Sequence, residues 1–269
     1  MKKKETKAVN AMAFCELKFH SDALGRAVSA NVILPESAKT LIGMSTGASE
    51  TYKTIYLLHG LSDDHTIWSR RTSIERYASE YGIAVVMPNA DRSWYTDMPG
   101  GANYFTFITE ELPKACRGFF RGMSDKREDN FIGGLSMGGY GAIKAALTYP
   151  EKYFGCICLS GALDIPSYSH HPIEEWRTVF GHELGDISEV RGTRHDVFAL
   201  AKANAKEGKP FPKIYMWCGN DDYILESSIR FDKWLTELGV EHVYEQSEGN
   251  HSWPWWDLHV QDGLGYVLG

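Results

Sequence analysis

No apolar run in this chain approaches the roughly 20 residues that a membrane-spanning helix needs. An integral membrane protein is therefore not expected. The opening, Met1-Lys2-Lys3-Lys4-Glu5-Thr6-Lys7, carries the charge of a signal peptide but lacks its apolar core. Ala11-Met12-Ala13-Phe14-Cys15 is too short for that purpose and runs straight into Glu16-Leu17-Lys18. A flexible basic tail on a cytoplasmic protein is the expectation. Cysteine is also scarce. The five residues Cys15, Cys116, Cys156, Cys158 and Cys218 are odd in number and irregular in spacing, which suits buried thiols better than a disulfide framework or a zinc site. Cys156 and Cys158 alternate along an apolar run, so both should face one side of a strand. There is no basic patch. The net charge of −7 is spread along the chain, so no nucleic-acid partner is expected. His170, His171 and His182 have no carboxylate or histidine at a metal-ligand spacing and read as solvated loop histidines.

What is present is an apolar content of 43% over 269 residues, enough for a sizeable core. It comes in short continuous runs: Thr54–Leu58, Ile83–Pro88, Asn130–Gly133, Gly155–Leu159 and Lys213–Cys218. Such runs suit strands buried on both faces. Helical stretches separate them, over 64–81, 104–120, 142–147 and 226–238, and a C-terminal helix should close the chain. Glu110-Glu111-Leu112-Pro113 marks a kink or restart in the second stretch. Residues 13–35 alternate on either side of a turn at Asp22–Gly25 and read as an antiparallel hairpin at a sheet edge. Glu241–Gln246 reads as the other edge. The whole is an α/β chain with a mostly parallel sheet covered on both faces. We expect one domain over 1–269, with a looser, lid-like insertion at about 162–211.

Two segments match Gly-x-Ser-x-Gly: Gly43-Met44-Ser45-Thr46-Gly47 and Gly134-Leu135-Ser136-Met137-Gly138. At this glycine and serine content the pattern arises by chance in about one such chain in five or six, so the pentapeptide alone says little. Context separates the two. Ser45 lies in a Gly/Ser/Thr loop with no helix after it. Ser136 follows a strand and opens a helix, the arrangement of a nucleophile elbow in the α/β-hydrolase fold. Glycines on both sides leave room for a strand to reverse into a helix.

In that fold the acid and the base follow the serine in the order Ser…Asp…His, each just past a strand. His251 follows the last strand in a Gly-rich, aromatic-flanked loop and is the expected base. Asp221 and Asp222 both follow Cys218-Gly219; Asp222 is favoured, with Asp221 free to cap the next turn. Backbone donors to an oxyanion are assigned to Leu61, in the turn after His59-Gly60, and to Met137, at a helix N-terminus. Loops at the carboxyl ends of parallel strands carry ligands. His59, Trp94, Tyr95, Tyr223 and Trp253 are accordingly the substrate-pocket candidates.

Tyr56-Leu57-Leu58-His59-Gly60, Met87-Pro88-Asn89-Ala90, Gly134-Leu135-Ser136-Met137-Gly138-Gly139-Tyr140-Gly141, Cys218-Gly219-Asn220-Asp221-Asp222 and His251-Ser252-Trp253-Pro254-Trp255-Trp256 together carry a resemblance across nearly the whole chain. The chain resembles the esterase D superfamily of α/β-hydrolases, and within it the tributyrin-esterase and carbohydrate esterase family 1 branch. The resemblance implies a triad of Ser136, Asp222 and His251, and so selects Asp222. It implies a serine carboxylesterase acting on short acyl esters, acetyl foremost, of alcohols or sugars, with no cofactor and no metal. A related branch hydrolyses S-formylglutathione; it has a histidine where this chain has Tyr140 and an aromatic run of a different kind at Trp253-Pro254-Trp255. Both departures point away from a thioester. Hydrolysis of S-formylglutathione or of feruloyl esters, acyl transfer to a sugar and a non-catalytic binding role are the alternatives. The expected partner is a small ester or an acetylated oligosaccharide, with homo-oligomers left open.

Overall fold

Tyr56 and Leu58 of the run Thr54–Leu58 face one apolar layer, and Ile55 and Leu57 face the opposite one. That period-2 alternation between two buried faces explains why the run carries no polar residue after Thr54. The computed structural model describes residues 10–37, 49–98, 101–170 and 184–269, the side chain of His170 excepted. The basic tail, Ser45, His171 and His182 lie outside the described residues.

Eight strands form one sheet: β1 (Ala11–Ser21), β2 (Arg26–Glu36), β3 (Thr54–Leu58), β4 (Ala84–Pro88), β5 (Asn130–Leu135), β6 (Gly155–Leu159), β7 (Lys213–Gly219) and β8 (His242–Ser247). Their order is β1-β2-β4-β3-β5-β6-β7-β8. β1 and β2 form the antiparallel hairpin at one edge, β2 pairs antiparallel with β4, and all later pairings are parallel. This is the α/β-hydrolase fold. Cys156 and Cys158 share one face, and all five cysteines are free thiols.

The helices are α1 (Ile67–Arg71), α2 (Ile74–Tyr81), α3 (Tyr104–Thr106), α4 (Leu112–Phe119), α5 (Met137–Thr148), α6 (Val197–Glu207), α7 (Leu225–Glu237) and α8 (Trp253–Leu268). The single helical stretch expected over 64–81 is in fact two, parted at Thr72–Ser73. There the Thr72 hydroxyl donates to Trp68 O and accepts from the Ile74 amide, so the side chain replaces helical backbone bonds. The kink before Pro113 is a π-helical turn, Phe107–Glu111, between α3 and α4. α5 lies against β5 and β6 and is buried from Met137 to Leu147, so it has no solvent face. α8 and the α1–α2 pair cover the other side of the sheet. No helix among the described residues is long and apolar enough to cross a membrane.

Candidate active site

Ser136 joins β5 to α5 with φ 53° and ψ −117°, a conformation that costs a non-glycine residue about 1–3 kcal/mol. The two flanking glycines make it possible. A Cβ at Gly138 would stand 2.4 Å from Leu58 O, and one at Gly134 would stand 2.5 Å from the Gly138 carbonyl carbon and oxygen. Neither position can hold a side chain while β3 keeps its place.

The other two members arrive on loops tied to one another. Past β7, the Asn220 amide donates to Ser247 O and the Asp221 amide to Gly249 O, so the loop carrying Asp222 is laced to the loop carrying His251. A Cβ on Gly219 would meet Gly249 O at 2.2 Å, which shows how closely the two loops run. Asp222 is buried, accepts from the Ile224 amide at 3.1 Å, and has both carboxylate oxygens 3.0 Å from His251 Nδ1. Asp221 is exposed, and its backbone, not its side chain, does the holding. His251 Nε2 lies 3.0 Å from Ser136 Oγ. With Nδ1–H donating to Asp222, Nε2 presents its lone pair to the serine hydroxyl. Burial works to raise the Asp222 pKa, but hydrogen bonding and charge from His251, with the Ile224 amide and Ser160, bring it below the ordinary carboxylate value.

That lowered pKa has a pH consequence. The native state holds the Asp222 carboxylate ionised more strongly than the unfolded chain does. Its stabilising share is therefore complete above the unfolded value near 4 and is lost as pH falls through the lower native value. Chemical denaturation of wild type and Asp222→Asn between pH 6 and pH 2 should show the wild-type advantage shrinking below about pH 4. A difference that stays constant over that range would contradict the assignment.

A cavity of about 430 Å³ opens over Ser136, lined by Gly60, Leu61, Ser62 and Asp63 on one side and by Tyr223, His251, Ser252, Trp253 and Trp256 on the other. That volume suits a small organic ligand. Tyr223 and Trp253 thus stand where the sequence reading put them. Among the described residues, neither the Leu61 nor the Met137 amide has a hydrogen-bond partner. The described parts of the insertion line none of this cavity.

Three pocket candidates lie elsewhere. His59 is buried beneath the cavity: its Nε2 accepts from the Ala90 amide at 2.9 Å and its Nδ1 donates to Gly60 O at 2.7 Å. Burial lowers its pKa, so the ring stays neutral and braces the turn that leads to Leu61. Trp94 and Tyr95 are also buried, because both adopt positive φ (50° and 48°) and turn inward. Trp94 packs edge-on to Tyr140; Tyr95 packs on Gly141 and donates to His59 O at 2.9 Å.

A buried cation beneath them was missed. Lys144 of α5 donates to Tyr95 O (3.0 Å), Thr96 Oγ1 (2.7 Å) and His195 Nδ1 (3.1 Å), and lies 4.5 Å from the Phe105 ring centre. Burial pushes its pKa down to about 7, and burial together with Lys144 and Arg194 takes His195 down to about 3. Tyr140 Oη donates to His195 O at 2.9 Å, so α5 holds the segment around His195 at two points. The available signal was Ala142-Ile143-Lys144-Ala145-Ala146-Leu147, a helix with no second polar residue to form a wet face. Among the described residues one group could gather a metal ion, Glu245, His259 and Asp262 on β8 and α8. None of the three lines the cavity, and Tyr215, Asp262 and Ser247 already partner Glu245 and His259.

Comparison with known proteins agrees with this geometry. The model of the Esterase family, described as "Putative esterase", matches residues 21–266. An acetyl esterase of Caldicellulosiruptor saccharolyticus is 32% identical over 95% of this chain and 98% of its own length. Two solved structures from Staphylococcus aureus superpose closely. FphF, a fluorophosphonate-binding serine hydrolase, has a TM-score of 0.85 at 34% identity, covering 96% of this chain and 99% of its own. The S-formylglutathione hydrolase FrmB has a TM-score of 0.84 at 35% identity, covering 96% of this chain and 100% of its own. With a family match over nearly its whole length and a serine hydrogen-bonded through a histidine to a buried aspartate, the chain belongs to the Esterase family and is a serine hydrolase of carboxylic esters.

Proposed function

We propose that the chain removes short acyl groups, acetyl foremost, from alcohols or sugars through an acyl-enzyme on Ser136. The observation that carries this reading is the continuous hydrogen-bonded line from Asp222 through His251 to Ser136 Oγ, at the floor of a cavity sized for a small ester. Ser136 Oγ attacks the acyl carbon as His251 Nε2 takes its proton, and the carbonyl oxygen gathers negative charge. The Leu61 and Met137 amides receive that charge, the second reinforced by the N-terminus of α5. Collapse of the tetrahedral species expels the alcohol, which takes the proton from His251. Water then repeats the sequence on the acyl-enzyme and releases the acid. Asp222 keeps the imidazole in the tautomer that both steps need. The likeness to an acetyl esterase over nearly both full lengths supports the acetyl preference.

A thioester substrate is the second reading, favoured by the likeness to the S-formylglutathione hydrolase. Of the two sequence departures that speak against it, only Trp253 touches the cavity; Tyr140 is buried against the insertion. Nitrophenyl esters from acetate to octanoate, run beside acetylated xylo-oligosaccharides, methyl ferulate and S-formylglutathione, separate the readings. The expected result is that kcat/KM falls from acetate to octanoate and that the acetylated sugar outranks ferulate and the thioester. A kcat/KM highest for S-formylglutathione would replace the proposal. New esters formed on an added sugar acceptor would make the chain a transferase.

A further inference from the structure

The cavity over Ser136 is lined by one carboxylate, that of Asp63, and among the described residues by no lysine or arginine. Asp63 also lines an adjoining hollow of about 860 Å³, shared through Leu61 and Ser62, whose other walls are Asp64, His65, Asn89, Asp91 and Arg92. The neighbouring acids are spoken for: Asp64 accepts from the amide and hydroxyl of Thr66, and Asp91 is paired with Arg26 and bonded by Tyr104 and Asn89. Asp63 makes no ion pair or side-chain hydrogen bond with another side chain among the described residues. It is half-buried on the turn between His59 and α1 and lines the same cavity as His251.

We infer that Asp63 sets the charge of the leaving group: esters whose alcohol carries hydroxyls or a cation beside the scissile oxygen are accepted, and those carrying a carboxylate there are turned away. The inference rests on the reading of Ser136 as nucleophile. A carboxylate at the cavity wall accepts hydrogen bonds from hydroxyls, and charge-assisted bonds of this kind are about twice as strong as neutral ones. A second carboxylate brought beside it meets repulsion, with no cationic side chain on the wall to offset it. Burial raises the Asp63 pKa and Asp64 adds to that, while the Gly60 amide, Arg71 and His251 act to lower it.

The test is a matched set of phenyl acetates bearing a meta trimethylammonium or a meta carboxylate, assayed with wild type, Asp63→Asn and Asp63→Glu. The readout is the ratio of kcat/KM for the cationic ester to that for the anionic one. Wild type should favour the cationic ester. Asp63→Asn should cut the ratio at least about tenfold, a change that one unit charge at several ångströms readily supplies, and Asp63→Glu should restore it. A carboxylate that merely braced the turn at Gly60 would lower both rates together and leave the ratio alone, and that outcome would overturn the inference. If wild type hydrolyses neither ester, the nucleophile reading fails instead.

Discussion

Ser136→Ala should lower kcat by about a million-fold, the scale expected if nucleophile, base and acid act as a unit. The folded state should persist, because alanine has the same Cβ and meets the same backbone strain at φ 53° as serine. Thermal midpoints of variant and wild type should therefore lie close together while activity vanishes, separating chemistry from stability. A fluorophosphonate should add its mass to a peptide containing Ser136 in the wild type and leave the variant unmodified. The second Gly-x-Ser-x-Gly serine gives the control: Ser45→Ala should keep both labelling and turnover. Loss of activity in Ser45→Ala with activity retained in Ser136→Ala would displace the elbow from the centre of the mechanism.

Asp222→Asn should lower kcat by about ten-thousand-fold, the cost of presenting the histidine in the wrong tautomer. A carboxylate can only accept, so it fixes the proton on His251 Nδ1; a carboxamide can donate there and move the proton to Nε2, where it faces Ser136. Asp221→Asn keeps the backbone amide that donates to Gly249 O and should stay within about twofold of wild type, since Asp221 is exposed and points at nothing in the site. Measuring kcat for both variants against one nitrophenyl ester decides between the two neighbouring aspartates. Comparable losses in the two would remove Asp222 from its role.

The elbow, the sheet and the hydrogen-bonded trio were legible because each depends on local rules. Short apolar runs make buried strands, a strand-to-helix reversal demands glycine, and the acid and base follow strands in a set order. Trp94 and Tyr95 were misread because position along a strand fixes where the chain is and not where a side chain points. Two consecutive residues at positive φ send both rings down onto Tyr140 and Gly141. His59 was misread for a related reason: it sits at the end of β3, yet both ring nitrogens are committed to Gly60 and Ala90 below the cavity. Lys144 escaped notice because its partners lie 48 or more residues away in the chain, at Tyr95, Thr96 and His195. Asp63 escaped notice because an aspartate in a turn needs no explanation until the cavity beside it is seen.

The two anchors from α5 to the insertion bear on how this scaffold can be remodelled. Tyr140 and Lys144 ride on the helix whose first turn follows Ser136, and both reach His195. The segment around His195 and that helix are consequently a single mechanical part. Transplanting the segment around His195 from a relative with another residue at 195 would cost Lys144 one of its three partners, leaving it Tyr95 O and Thr96 Oγ1. Recombination points for chimaeras therefore belong before Tyr95 and after α6, so that the three partners of Lys144, α5 and the segment around His195 travel as one cassette.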